Sequence, residues 1–344
     1  MKQKKYDVYG LGHALLDLVY HVPDSFLVNQ GLKKGVRNLL DYQSVDKMIE
    51  KLKSNNIPTV KVAGGGSLAN SLSTMQKFGA NTYLCAKVAD DQHGKKFVEE
   101  LDNIKLKYSS KIFLGENNTK HTGVCLVMTT DDYERTMCTA LGVCNEFTPN
   151  DLNYDAISES KAVYMEGYLL SRENSTEVCE TLCCTAKEKN VPIYISLCDP
   201  MLVAHFKEPM RKFIAENNIH CIFCNLEEAF AFTDKNTVEE AALALQKYVP
   251  SFVITLAGDG LYSFNNGTVK MITAYPTECV NTLGAGDCFA GGFLYAITHG
   301  YDFFEASEFA NVCAAHVVSQ RGPRLKTKYV MKILDEIKPK ADVV

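Results

Sequence analysis

The sequence predicts an α/β protein, built on a doubly wound parallel sheet with a small β appendage. Two observations carry that expectation. Short apolar runs alternate with amphipathic stretches along most of the chain, and parallel strands need helical crossovers of this size. Two segments, Asp17–Leu40 and Thr122–Cys138, break the alternation with strand-and-turn patterns instead.

Taken in order, Tyr6–Leu11 is a mostly apolar run and a first strand. Asp17–Leu40 follows as short strands joined by turns. Thr59–Val62 is a strand that leads into a helix over Ser67–Phe78, where Leu68, Leu72, Met75 and Phe78 recur at helical spacing. Thr82–Ala86 is a strand, and Asp91–Leu101 a helix with Phe97, Val98 and Leu101 on one face. The run from Thr122, the turn at Asp131-Asp132 and the return from Arg135 make a β-hairpin. Strands Ala162–Met165, Ile193–Leu197, Cys221–Cys224 and Phe252–Leu256 then alternate with helices Thr176–Lys189 and Val238–Tyr248. The tail is helical: Ala285–Thr298, Phe303–Val318 and Lys328–Ile337. No repeat, linker or low-complexity tract divides the chain. A single domain over 1–344 is expected, with a discontinuous β lid made by about 17–40 and 108–140.

The chain has 344 residues, 46% of them hydrophobic and 22% charged, which excludes disorder, collagen and coiled coil. The formal net charge is −5, so the broad basic footprint of a nucleic-acid binder is missing. No apolar run reaches the ~18 residues of a membrane span. The thirteen cysteines are scattered among apolar residues, as in a reduced compartment, and a cytoplasmic protein is expected. Cys221-Ile-Phe-Cys224 has no second pair at zinc spacing, so it reads as strand. Nothing in the sequence assigns an oligomeric state.

The most specific segment runs from Asn281 to Phe293. Gly284, Ala285 and Gly286 precede a long helix of good formers. Small residues let a ligand approach the backbone, and the first amides of a helix point outward without internal partners. Together they make an anion hole fit for a phosphate. Asp287 sits in the helix's first turn, where its charged form is favoured. A carboxylate there is placed to take a proton from an attacking hydroxyl. Gly64, Gly65 and Gly66, followed by Ser67 and Asn70, form a second glycine segment between strand and helix, where open α/β sheets bind ligands. Gly10-Leu-Gly12 is not a dinucleotide fingerprint, because the third glycine is missing and strand follows. No P-loop and no protein-kinase signature is present.

The two glycine segments, in this order and about two hundred residues apart, resemble the paired signatures of the ribokinase-like (PfkB) kinase family. Asn281 to Phe289 satisfies the second signature throughout, and Gly65, Gly66 and Asn70 match the first. The resemblance covers nearly the whole chain. It implies a three-layer α/β/α sandwich with a small β-sheet lid, and transfer of the ATP γ-phosphate to a primary hydroxyl. It carries over further positions. Asn225 and Glu228 match the Asn-x-x-Glu element that organises Mg²⁺ and its waters, and the same pair fits a helix capping box. Thr255, Gly258 and Gly260 resemble the nucleotide loop, with Ala257 where glycine is usual, and Asn311 joins them on the ATP side. Asp17 resembles the acceptor-binding carboxylate, with His13 where many relatives have Asn. Arg135 matches a phosphate-facing arginine; the alternative is a solvated surface charge. Asn281 and Leu283 stand where relatives bind K⁺, and weak K⁺ dependence at most is expected.

The segments Gly12–Asp17 and Ile195–Pro200 resemble the adenosine-kinase-like branch more than ribokinase or fructokinase. A base needs an apolar slot, and Tyr168 matches a base-facing position, with Leu39, Leu40 and Tyr42 to close the other side. The expected acceptor is therefore the 5′-hydroxyl of a purine nucleoside, adenosine first. A kinase for ribose, fructose or a ketodeoxy sugar acid is the alternative. A non-catalytic ligand sensor on this fold would have no need of an intact Gly284-Ala285-Gly286-Asp287.

Overall fold

The computed structural model describes residues 4–114, 120–132 and 134–337. Residues 115–119 and 133 of the expected lid segment, and 1–3 and 338–344 of the expected domain, lie outside the described residues. By internal contacts the chain divides into two units. One comprises Met1–Gly12, Ser67–Cys85 and Thr148–Val344, the other His13–Gly66 and Ala86–Phe147.

In the first unit, eight strands lie side by side in one sheet. Their order is Thr268–Ile272, Leu261–Asn265, Ser251–Thr255, Cys221–Asn225, Ile193–Ser196, Ser160–Glu166, Tyr6–Leu11 and Thr82–Cys85. The six from Ser251–Thr255 to Thr82–Cys85 are parallel. Every residue of Tyr6–Leu11 is buried, as expected for a parallel strand covered on both faces. The last two strands form an antiparallel hairpin that the sequence pattern did not predict. Its signal was present: Asn266 and Gly267 both adopt positive φ, 46° and 89°, as a two-residue hairpin turn demands.

The helices expected at Ala285–Thr298 and Phe303–Val318 are found at those bounds. Ser67–Lys77 packs on the first of them so closely that a Cβ on Gly291 would strike the Ser71 carbonyl. Phe293, fully buried, packs against three other aromatic rings. Its ring centroid lies 5.0 Å from Phe223, 5.0 Å from Phe303 and 6.2 Å from Tyr194. Cys221 and Cys224 are buried in their strand, and burial pushes both thiols up, so they pack as small apolar groups. Among the described residues no helix is long and apolar enough to cross a membrane.

The second unit holds a five-stranded sheet in the order Arg37–Leu39, Arg135–Ala140, Gly123–Thr129, Leu15–His21 and Thr59–Gly65. The hairpin expected from Thr122 is its centre. Two expectations need correction here. The sequence predicts Thr59–Val62 as a strand of the large parallel sheet. It instead extends to Gly65 and pairs antiparallel with Leu15–His21 as an edge strand whose first four residues are exposed. Nor is Asp17–Leu40 made only of strands: Asp24–Asn29 is a helix. A further helix, Tyr42–Ser54, is capped by Asp41 and buries Val45, Met48 and Leu52. That spacing of three and four is an amphipathic signature, legible in the sequence.

Replacing Phe293 by alanine removes a ring packed on three others and leaves a cavity. Phe293→Ala should lower unfolding free energy by about 3–5 kcal/mol. A urea midpoint unchanged from wild type would show that the core closes over the loss.

Candidate active site

The anion-hole segment begins with a turn held by its own side chain. Asn281 Oδ1 accepts from the Leu283 amide at 2.8 Å, and the Val280 and Asn281 amides donate to the Val318 carbonyl. Gly284 then caps the Ala285–Thr298 helix in the left-handed region, with φ 76°. A Cβ on Gly284 would strike the Pro323 carbonyl, so both conformation and packing require glycine. Gly286 is different. A side chain there would meet nothing within 4 Å, so no packing explains the glycine, and the space beside it is open to a ligand. With no side-chain cap on this helix, its outward amides and partial positive charge face that space. This is a cradle suited to a phosphate.

Asp287 lies in the first turn of the same helix. Ser67 Oγ donates to its Oδ1 at 2.6 Å, and Asn70 Nδ2 donates to its Oδ2 at 3.0 Å. Both donors come from the first turn of the Ser67–Lys77 helix. Asn70 is held in turn by Arg324, whose Nε donates to Asn70 Oδ1 at 3.0 Å. The start of the Ser67 helix is fixed by Glu166, which ends a parallel strand, is 1% exposed and accepts from the Leu68 amide at 3.0 Å. A carboxylate at a helix N-terminus is favoured by the outward amides. Sequence reasoning singled out neither Glu166 nor Arg324. Glu166 had a signal, an acidic residue closing an apolar strand just before Gly167; Arg324 had none.

Further along the carboxyl ends of the parallel strands, Asn225 and Glu228 form a reciprocal cap. The Asn225 amide and its Nδ2 donate to the Glu228 carboxylate at 3.0 and 2.9 Å, and Asn225 Oδ1 accepts from the Glu228 amide at 2.8 Å. Burial pushes the Glu228 carboxyl up to about 7. The Asn225 amide opposes this, while the carboxylates of Asp199, Glu227 and Asp287 add to it. The capping role and the expected role toward Mg²⁺ therefore fall on one carboxylate. A group already bonded on both oxygens suits an ion held through water rather than directly.

Thr255 ends the last parallel strand, and Ala257–Asp259 turns the chain toward Gly260. Ala257 adopts φ 51°, the conformation glycine favours, so the substitution noted in the sequence is accommodated under backbone strain. Gly258 faces open space. Asn311 Nδ2 donates to the Thr273 carbonyl at 2.8 Å, tying the Phe303–Val318 helix to the segment after the hairpin. Tyr168 lies on a 3₁₀ turn after Glu166, its hydroxyl 3.4 Å from the Cys198 carbonyl.

The remaining predicted residues belong to the second unit. Asp17 lies on Leu15–His21, and a Cβ on Gly65 would run into its carboxylate. Gly66 adopts φ 91° against the His13 carbonyl. Tyr42 stacks on His121 at 3.9 Å, and Leu39 is largely exposed. Arg135 opens its strand half-buried, not as a fully solvated charge, and burial pushes its guanidinium down against the opposing pull of Glu134.

Residues 39–328 match the model of the pfkB family carbohydrate kinases. The chain is 28% identical over 331 residues to an adenosine kinase of Saccharomyces cerevisiae, an alignment covering 91% of this chain and 95% of that one. It superposes on an adenosine kinase structure from Sinorhizobium meliloti with TM-score 0.87, 27% identity and coverage of 96% and 99%. A probable sugar kinase from Rhizobium etli gives TM-score 0.87, 25% identity and coverage of 97% and 99%. The glycine cradle, the carboxylate in its first turn and these likenesses lead to one conclusion: the chain belongs to the pfkB family of carbohydrate kinases, nucleoside or sugar phosphotransferases that use ATP and a divalent metal to act on an alcohol group.

Proposed function

We propose that this kinase transfers the γ-phosphate of ATP to the 5′-hydroxyl of a purine nucleoside, adenosine first. One observation carries the reading. The Asp287 carboxylate stands in the first turn of a helix whose glycine start is open to a ligand, with Ser67 and Asn70 on its two oxygens. In that position Asp287 is the general base. It accepts the proton of the acceptor hydroxyl as the oxygen attacks phosphorus. The amides of Gly284, Ala285 and Gly286 receive the charge that develops on the transferring phosphoryl group.

Ser67 and Asn70 orient the base, and the roles of Asp17, Gly65, Gly66 and Tyr168 toward the acceptor rest on the family positions they match. The Ser67 hydroxyl occupies the kind of bond that a substrate hydroxyl would make to Asp287, which supports an alcohol as the group received. Asn225, Thr255, Gly258, Gly260 and Asn311 serve ATP, and Arg135 supplies positive charge toward phosphate. A divalent ion bound with ATP would offset charge on the β- and γ-oxygens. Glu228 would hold its water shell. Asn281 and Leu283 retain the role of a weak K⁺ site in this proposal. Preference for a nucleoside is supported by the adenosine kinases among the relatives, at 28% identity, and by the apolar setting of the Tyr168 turn between buried Gly167 and Leu169.

Asp287→Asn keeps the shape of the side chain but cannot take the proton. Turnover should fall by about 10²–10⁴-fold with ATP affinity little changed. Near-native kcat in that variant would remove Asp287 from the chemistry.

The acceptor is tested by ADP release across a panel of nucleosides and sugars. Adenosine should lead, and 2′-deoxyadenosine should be poorer by roughly 10²–10⁴-fold, because a site built for the ribose hydroxyls leaves polar groups unpaired without them. If ribose or a hexose outpaces every nucleoside, the acceptor is a sugar and the base assignment stands.

Glu228 imposes a pH dependence on stability. Its folded pKa, about 7, is raised above the ordinary 4.5, so between these values the folded state holds a proton that the unfolded state has lost. Stability then falls as pH rises through this window. Glu228→Gln should flatten that slope in urea titrations between pH 4.5 and about 7. An identical slope in the variant would place the titration elsewhere.

A further inference from the structure

Asn70 sits between two groups of opposite demand. Arg324 lies on one side, and a guanidinium carries five N–H donors and no acceptor. Asp287 lies on the other, and an ionised carboxylate only accepts. A side-chain amide has one oxygen and one NH₂. With Arg324 Nε at 3.0 Å from Oδ1 and Asp287 Oδ2 at 3.0 Å from Nδ2, only one orientation of that amide satisfies both partners. Turned by half a rotation, it would set N–H against N–H and oxygen against carboxylate. Asn70 is 6% exposed, so solvent is poorly placed to relieve such a mismatch.

We propose that Arg324 is a positioning residue for the phosphoryl transfer: by donating to Asn70 it forces the amide to donate to Asp287, and so holds the base in one charged, oriented state. This rests on the reading of Asp287 as the base. The chain spans three separate stretches of sequence. Arg324 follows the Phe303–Val318 helix, Asn70 lies one turn into its helix, and Asp287 lies in the first turn of another. Because an amide carries two N–H groups, one can hold Asp287 while the second serves an acceptor oxygen. Arg324 thereby bears on the acceptor through Asn70 without touching it. Donation to Asn70 also distinguishes this arginine from a general counter-ion. A lysine of suitable reach would preserve the amide's orientation, because it too can only donate.

The test is a double-mutant cycle on the full chain, with ATP and the best acceptor of the panel, and thermal unfolding measured on every variant. Arg324→Met should lower kcat by about 10–100-fold, the range for a misplaced catalytic group, with the KM for ATP within about threefold. Arg324→Lys should recover most of that loss. In an Asn70→Ala background, Arg324→Met should change kcat by less than about twofold, because the residue acts through the amide already removed. Should Arg324→Met fail to fold, Arg324→Leu, which also has no donor, takes its place in the cycle. Unchanged kcat in the folded Arg324→Met variant, or in its replacement, overturns the proposal. So does an equal loss in both backgrounds, or a raised KM for ATP at constant kcat, which would make Arg324 a direct phosphate contact. Failure of the base reading is separate: it would appear as native turnover in Asp287→Asn, whatever the cycle gives.

Discussion

Six parallel strands pointing one way are the constraint on which the first unit depends. Parallel pairing forces every crossover back over a face of the sheet, so each strand's carboxyl end opens on the same edge. Glu166, Asn225 and Thr255 all stand at such ends, and Cys198 and Asp199 follow directly after another. A few residues earlier, inside strands buried on both faces, each would need a buried partner to offset its lost hydration. The polar edge is thus a product of topology before it is a product of chemistry.

Several carboxylates gather on that edge, and most are held by a helix start. Asp199 caps Pro200–His205 through the Met201 and Leu202 amides at 2.9 Å each. Glu166 caps the Ser67 helix and Glu228 its own. Outward amides offset part of the mutual repulsion, which is how like charges share one edge. At Glu228 burial outweighs that offset, and the nearby carboxylates of Asp199, Glu227 and Asp287 add to the push, so its carboxyl rises to about 7. A cluster of this sign is a natural complement to a cation arriving with a polyphosphate.

Local signals made much of this legible in the sequence. The Gly284 to Asp287 turn, the helix it opens and the strand Tyr6–Leu11 are local patterns, and their bounds follow from glycine, helix-former and apolar content. The five-stranded sheet of the second unit was only half legible. Thr59–Gly65 has a strand's composition, but composition does not say which sheet receives it, and its partner Leu15–His21 lies some forty residues away. The helix Tyr42–Ser54 carried its amphipathic spacing openly and was hidden by the strand-like segment before it. Arg324 is the extreme case. Its bond to Asn70 spans 254 residues, and nothing beside it in sequence marks it. Contacts at that separation are decided by tertiary packing alone.

The interleaving of the two units has a consequence for synthesis. Tyr6–Leu11 pairs on one side with Thr82–Cys85 and on the other with Ser160–Glu166, and the residues between belong largely to the second unit. As the chain leaves the ribosome, this strand can acquire Thr82–Cys85 early but must wait for Ser160–Glu166, some eighty residues later. During that interval an apolar strand edge is exposed, the condition that favours pairing with another chain. An open strand edge of that kind is where correct assembly meets competition from other chains, and Ser160–Glu166 closes it.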